Sequence, residues 1–404
     1  MKLLLINVAA NSGSTGIIAE GIGIQAQQAG YEVAFAYGRK AVNSKLALWQ
    51  IGKKPDYLWH GVESRIWDNH GFASRSATRD LIKRIEQWQP DIVNIHNVHG
   101  YYINVDILFS YLKEKKIPVV WTFHDCWPFN GHCTYFERFG CFKWETECHH
   151  CPAQREYPAS WIFDRSKTNF GIKKALFNGI GNMTIVTPSV WLADYVSRSF
   201  LKNYPVQVIN NGIDLRCFTQ LRRYEVTEKY SIGDKKIVLG VASVWSFRKG
   251  LDDFLQLRSL LSENIQIVLV GLDDRQINRL PEGIKGIART ENREELAAIY
   301  GVADVYVNPT YMDNFPTVNI EALACGTPVV TYRTGGSPEA VDTHTGIVVD
   351  KGDIAGLHHA VLAVLNHGKN FYSDHCRKRA EQLYNADDRF TDYVTLFDRM
   401  LKRN

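Results

Sequence analysis

Short runs rich in Val, Ile, Leu and Phe alternate along the chain with longer stretches in which apolar residues recur every three or four positions. The runs predict strands over residues 3–8, 32–37, 91–95, 119–123, 184–187 and 206–209. A second series covers residues 236–241, 266–270, 284–288, 305–308, 329–332 and 347–349. Amphipathic stretches of helical length lie between them, among them residues 17–29, 251–261 and 293–301. Strands without polar alternation, separated by helices, imply parallel sheets covered on both faces. Two such series, each with its own first strand, predict an α/β protein of two Rossmann-like doubly wound parallel-sheet domains facing a cleft.

The apolar periodicity lapses over residues 211–232, which read as the interdomain linker. The expected organisation is a first domain over 1–210, with a Cys-rich insertion at 126–158, and a second over 211–383. Helical patterns over 353–365 and 371–401 follow, and the C-terminal helix at 384–404 is expected to cross back to the first domain. Ligands of open α/β sheets bind beyond the carboxyl ends of the strands, so polar residues just after strands are the candidates for chemistry.

At 404 residues the chain is long enough for two full cores. Its 47 basic and 43 acidic residues leave a net charge of +4, with no block of like charge, which argues against nucleic acid as a partner. The N-terminal Met1-Lys-Leu-Leu-Leu-Ile runs into a Gly/Ser loop and lacks the form of a signal peptide. No apolar run approaches the roughly 20 residues of a membrane helix. A cytoplasmic protein is expected, where structural disulfides are rare. That makes the clustering of five of the eight cysteines between 126 and 151 informative.

Five constellations stand out. Asn11-Ser-Gly-Ser-Thr-Gly16 follows the first strand, and Gly13 and Gly16 allow close backbone approach to an anion; an ordinary strand-to-helix turn is the alternative. Asn94-Ile-His-Asn-Val-His99 and Trp121-Thr-Phe-His124-Asp125 place imidazoles at two strand ends, where they can hydrogen-bond sugar hydroxyls or phosphate, or transfer protons. Arg248 and Lys249 stand where a helix begins, an unfavourable place for cations unless they face an anion. Asp313-Asn-Phe-Pro-Thr-Val-Asn-Ile-Glu321 sets an acidic loop before a short helix opening near Pro316, whose N-terminus suits an anion. Glu321 inside that helix can accept two ribose hydroxyls. Cys133, Cys141, Cys148 and Cys151 could surround a structural zinc ion; free thiols, an iron–sulfur cluster or disulfides are the alternatives.

The fourth constellation resembles the retaining GT-B glycosyltransferases of family 4, whose pattern is Glu-x7-Glu followed by Ala-x-Ala-x-Gly-x-Pro-Val. Here it stands as Asp313-x7-Glu321 and then Ala-Leu-Ala-Cys-Gly-Thr-Pro-Val. Gly335-Gly-Ser-Pro-Glu339, Asn211-Gly-Ile-Asp214 and Thr187-Pro-Ser189 match further motifs of that family. The His124-Asp-Cys-Trp stretch with its trailing cysteines is similar to enzymes of colanic-acid and other exopolysaccharide assembly.

The resemblance implies a UDP- or GDP-sugar donor and a saccharide acceptor, lipid-linked in exopolysaccharide, capsule or O-antigen work. Glu321 would bind the donor ribose, and Asp313 with Asn314, Phe315, Pro316, Thr317 and Val318 would meet the donor sugar and diphosphate. Arg248 and Lys249 would hold the diphosphate, His124 would contact the sugar, and Gly13, Gly16, Asn211 and Glu339 would complete the donor site. No cofactor is implied for catalysis. Aromatic and basic residues such as Trp59, Trp67, Arg75 and Arg79 could face acceptor or membrane, and peripheral association with the inner face of the plasma membrane is the expectation. Two departures stand out: Asp313 replaces the family's first Glu, and Val244 occupies the place of its usual Arg. A degenerate sugar-nucleotide-binding protein and a UDP-sugar epimerase of the same fold are the rival readings.

Overall fold

The computed structural model describes residues 1–220, 225–232 and 235–402. The chain forms two compact units, one of residues 1–209 with 387–404, the other of residues 210–386.

The first unit is built on a seven-stranded parallel sheet ordered β3-β2-β1-β4-β5-β6-β7. Its strands are β1 (Lys2–Ala10), β2 (Glu32–Ala41), β3 (Ala47–Gln50), β4 (Ile92–Ile95), β5 (Val119–Thr122), β6 (Met183–Thr187) and β7 (Val206–Val208). Successive side chains of β1 point to opposite faces. Leu4 and Ile6 therefore join Val93, Ile95 and Trp121 in one core layer. Leu3 and Leu5 join Ile92, Val120 and Val186 in the other. The last helix, Ala386–Leu401, closes this second layer with Leu396, Phe397 and Met400.

The second unit repeats the design with six parallel strands ordered β10-β9-β8-β11-β12-β13. These are β8 (Lys236–Val241), β9 (Ile265–Val270), β10 (Ile284–Ile287), β11 (Val305–Asn308), β12 (Val329–Tyr332) and β13 (Gly346–Val349). In each sheet the strand order reverses beside the first strand, at β1/β4 and at β8/β11. Those are the switch points at which doubly wound sheets bind ligands.

Two local expectations change, and one strand was not foreseen. Residues 211–232, read as a linker, are folded onto the second unit, where Ile213, Phe218, Val226 and Ile232 are buried in its core; residues 221–224 lie outside the described part. The pattern over 371–401 is two helices, Lys369–Leu383 and Ala386–Leu401. They part where Asn385 pairs with Ile213 in an isolated parallel bridge. The edge strand β3 lacks apolar alternation, and only its pairing with β2 makes it a strand.

Candidate functional site

In the second unit, the switch point brings the loop after β8 against the loop after β11. A short 3-10 turn, Phe247–Lys249, precedes the helix Leu251–Leu260, with Gly250 at φ +71 between them. A Cβ on Gly250 would meet the Pro309 carbonyl oxygen at 2.3 Å, so glycine permits the close approach. The Arg248 carbonyl then accepts from the Tyr311 N–H at 2.8 Å and from Thr310 Oγ1 at 3.2 Å. Lys249 Nζ donates to Asp313 Oδ2 at 2.6 Å, both side chains being largely buried. The other carboxylate oxygen of Asp313 accepts from the Asn314 N–H at 3.1 Å.

Pro316 occupies the position before the helix Thr317–Ala324 and offers no side-chain cap. In the first turn the Asn319 N–H donates back to the Pro316 carbonyl at 3.2 Å, and the N–H groups of Thr317 and Val318 open the positive end of the helix dipole. Phe315 is buried beneath it, and its carbonyl accepts from Asn211 Nδ2 at 3.0 Å. Val318 is partly buried at the same end. The helix ends at Cys325, followed by Gly326 at φ +70.

Glu321, half-buried on this helix, accepts from the Tyr300 hydroxyl at 3.1 Å. Burial pushes its carboxyl above the usual range, opposed by the Tyr300 and Thr317 hydroxyls and the charge of Arg293. Tyr300 and Arg293 lie in sequence segments read only as helix, and their relation to Glu321 was not legible there.

A buried polar network fixes the helix to the following Gly loop. Asn308 Nδ2 donates to Asn319 Oδ1 at 2.7 Å, and Asn319 Nδ2 donates to Ser337 Oγ at 2.9 Å. Ser337 Oγ meets Thr331 Oγ1 at 2.7 Å. Four residues from β11, the helix, the loop and β12 thereby share one arrangement. Sequence reading missed Asn319 because a lone Asn in a helix gives no sign of burial. The loop also packs by backbone: the Gly336 N–H donates to the Asn314 carbonyl at 2.7 Å. Gly335 sits at φ +56, where a Cβ would come within 1.7 Å of the Asp313 carbonyl oxygen. Glu339 follows, its carbonyl held by Arg379 at 3.0 Å and Tyr384 at 3.3 Å.

In the first unit, Gly13 (φ +67) opens the helix Gly13–Gln28, with open space where a Cβ would stand. Gly16 is tighter, since a Cβ would lie 3.0 Å from the Ala9 carbonyl oxygen. At the ends of β4 and β5, three side chains form a directed chain. Asn94 Nδ2 donates to the Val120 carbonyl and to Thr122 Oγ1, which orients Asn94 Oδ1 towards His96 Nε2 at 3.0 Å. His96 Nε2 must therefore donate, leaving its Nδ1 to accept from His124 Nε2 at 2.9 Å. The rings stack at 5.3 Å. This leaves His124 as the Nε2–H tautomer, with Nδ1 an acceptor. Burial pushes its pKa down to about 4 and that of His96 well below its ordinary value. Of the two roles expected for His124, this favours a neutral hydrogen-bonding group over proton transfer near neutral pH. Asp125 beside it is taken by His99 Nε2 at 2.7 Å and the Trp127 N–H at 2.9 Å.

The four-thiolate zinc centre expected at Cys133, Cys141, Cys148 and Cys151 is not assembled. All eight cysteines are free thiols. Cys133 and Cys151 are neighbours whose thiols influence one another, and Cys148 Sγ accepts from the Gly131 N–H at 3.3 Å. Among the described residues, no three His, Cys, Asp or Glu side chains form a group able to hold a metal ion. The segment is held by other means. Buried Lys173 donates to the Trp127 and Asn130 carbonyls at 2.9 Å each, lies 3.3 Å from the Trp127 ring centroid, and has its pKa pushed down to about 7 by burial. His132 Nδ1 meets Asp68 Oδ1 at 2.5 Å.

Two family models match, one on each half: "Glycosyltransferase Family 4" over residues 22–216 and "Glycosyl transferases group 1" over residues 235–367. The chain is a GT-B glycosyltransferase of the family-4 type. The glycosyltransferase is 23% identical over 374 residues to WcaC of Escherichia coli (strain K12), a glycosyl transferase named for colanic acid biosynthesis, covering 88% of this chain and 89% of that one. Sucrose-phosphate synthase from Thermosynechococcus elongatus shares its fold with a TM-score of 0.75 at 17% identity, over 100% of both chains. Anabaena Alr3699/HepE, solved in complex with UDP and glucose, matches with a TM-score of 0.70 at 14% identity, over 98% of this chain and 99% of that one. No described helix of the glycosyltransferase is long and apolar enough to cross a membrane.

Proposed function

We propose that this glycosyltransferase moves a hexosyl group, with retention of anomeric configuration, from a UDP- or GDP-sugar to a lipid-linked saccharide in exopolysaccharide, capsule or O-antigen assembly. The observation that carries the reading is the 2.6 Å contact of Lys249 with Asp313, at the uncapped N-terminus of the helix that carries Glu321. That Anabaena Alr3699/HepE was solved with UDP and glucose supports a nucleotide-sugar donor. The colanic-acid name of WcaC supports polysaccharide work.

In this reading Glu321 takes the ribose hydroxyls. Arg248, Lys249 and the N–H groups of Thr317 and Val318 stabilise the leaving diphosphate, which gains charge as the bond from anomeric carbon to phosphate oxygen breaks. Protein cations and the helix dipole supply this stabilisation, so the chemistry needs no cofactor. The acceptor oxygen bonds to the same face of that carbon, and its proton passes to a diphosphate oxygen. Asp313, Asn314, Phe315, Pro316 and Glu339 position the transferred sugar, and Asn211 steadies Phe315. His124 Nδ1 accepts from a sugar hydroxyl, and Gly13 and Gly16 give the loop after β1 close approach to phosphate or acceptor.

A cytoplasmic site of action with peripheral membrane association completes the proposal. Leu58, Trp59, Val62 and Trp67 are exposed on one helix, and Trp161, Ile162 and Phe163 are exposed on a loop joined to its end. The Trp161 N–H donates to the Arg65 carbonyl at 2.7 Å. Such a ridge suits the interface of a bilayer better than water. The test is a panel of UDP- and GDP-sugars with purified protein, read as nucleoside diphosphate release and by NMR of the product's anomeric configuration. Release from one donor with a retained linkage is expected; inversion, or epimerised sugar without transfer, would overturn the reading.

A further inference from the structure

Arg39 and Arg65 in the first unit come to the same aromatic ring from different elements. Arg39 belongs to β2, and its guanidinium carbon lies 6.0 Å from the centroid of Tyr101. Arg65 belongs to the helix Lys54–Trp67 and lies 5.6 Å from that centroid, with the exposed Trp161 ring also at 5.6 Å. Arg39 has Tyr57 as its second ring, at 5.9 Å.

Neither guanidinium makes an ion pair among the described residues. Arg65 spends one N–H on the Gly61 carbonyl at 2.9 Å, and most of each planar fork of donors remains. Two like charges gathered at one ring repel, which is unfavourable unless an anion joins them.

Tyr101 itself is held in an unusual state. It is buried, follows Gly100 at φ +115, and adopts φ +69, a region that bulky residues rarely occupy. Local strain of this kind persists where surrounding structure imposes it, often at a binding site. Here the ring is wedged among His70 at 4.9 Å, His60 at 5.8 Å and Tyr157 at 6.0 Å. Burial keeps both imidazoles uncharged at neutral pH, so the positive charge here belongs to the arginines.

We infer that Arg39 and Arg65, splayed around Tyr101 with Trp161 alongside, form a clamp for an oxyanion carried by the acceptor. The chemistry is that of phosphate or carboxylate, which a guanidinium fork grips with paired hydrogen bonds. A diphosphate joining saccharide to lipid and the carboxylate of an acidic sugar are its two possible sources. The inference rests on the glycosyl-transfer reading for the word acceptor, while the clamp itself rests on the arginine geometry.

The test uses the full chain, with UDP at saturation to fill the donor site, and calorimetric titration of inorganic pyrophosphate and, separately, of glucuronate. Wild type is expected to bind at least one of them. Arg39→Gln and Arg65→Gln should each weaken that binding about tenfold or more, the double variant should abolish it, and Arg39→Lys should fall between. Tighter pyrophosphate points to the lipid diphosphate, tighter glucuronate to an acidic sugar. UDP affinity should be the same in all variants. Binding of neither probe by wild type, or undiminished binding by the double variant, overturns the clamp. If wild type fails to bind UDP, the donor reading fails instead, and the clamp is judged by the same two titrations without UDP. Arg39 is exposed, so Arg39→Gln gives a folded variant even where Arg65→Gln does not.

Discussion

Lys249 reaches across 64 positions of sequence to place its ammonium 2.6 Å from the carboxylate of Asp313. The pair joins the loops after β8 and β11, so it reports the switch point of the second sheet directly. Lys249→Ala removes a charge-assisted contact and leaves Asp313 largely buried without its partner. Donor binding should weaken by about 1.5–3 kcal/mol, a factor of roughly 10–150. Glu321→Ala should cost a similar amount, with the far-UV spectrum unchanged. Calorimetric UDP titration reads both, and normal affinity in both variants would refute the site.

Gly335 and Gly13 offer a contrast. Both have positive φ, but only Gly335 has backbone in the way, 1.7 Å from where a Cβ would stand. Gly335→Ala should lose more than about 3 kcal/mol of stability and displace the Asp313 loop. Gly13→Ala should lose only the left-handed penalty of about 1–2 kcal/mol. Urea unfolding of the two variants decides; equal losses would contradict the packing described.

The Asn94–His96–His124 chain makes a spectroscopic prediction. Long-range 15N–1H spectra should show both imidazoles as neutral Nε2–H tautomers at pH 7. Asn94→Leu should scramble that assignment and, by freeing the orientation of His124, reduce transfer about 10–100-fold. A Nδ1–H signal on either ring in the wild type would disprove the network.

Stability should fall in mild acid. His60, His70, His96 and His124 are all held neutral by burial, with His60 pushed down to about 3 and His124 to about 4. Unfolded histidines titrate near 6.5, so below that pH the unfolded chain binds more protons and gains. Each group then costs about 1.4 kcal/mol for every pH unit down to its folded value. His132 acts the other way: its pKa is raised by Asp68 against burial, so its contribution is present in acid and lost as pH rises. Four groups outweigh one, and chemical unfolding at pH 7.5 and 5.5 should show the loss. Equal stability at the two values would mean these imidazoles are solvated.

The thiol segment can be checked by chemistry. With its thiols arranged as they are, the purified chain should carry no stoichiometric zinc, and a thiol reagent in denaturant without reductant should titrate eight groups. One zinc per chain, lost in Cys148→Ser, would show instead that the segment rearranges around a metal.

Much of the architecture was written in local pattern. The first strand of each series, the helix after Pro316 and the glycines that close its loops follow from periodicity, fixed φ and the lack of a Cβ, all properties of neighbouring residues. Glu321 and Asp313 stood out because a carboxylate, a helix start and a Gly loop came in order. Other features gave no such sign. β3 is only four residues long and mostly exposed, with no alternation to mark it, and the break before Ala386 depends on Asn385 meeting Ile213.

The sequence by itself determined two parallel-sheet units and the segments that end at their switch points, because burial on both faces of a strand leaves a continuous apolar run. Only the tertiary structure decided which polar atoms meet. It paired Lys249 with Asp313, buried Asn319 between Asn308 and Ser337, set the tautomer of His124 through Asn94, and turned Cys133 towards Cys151. Hydrogen bonds and ion pairs are short-ranged and directional, so residues far apart in the chain acquire them only once the sheets have brought their loops together.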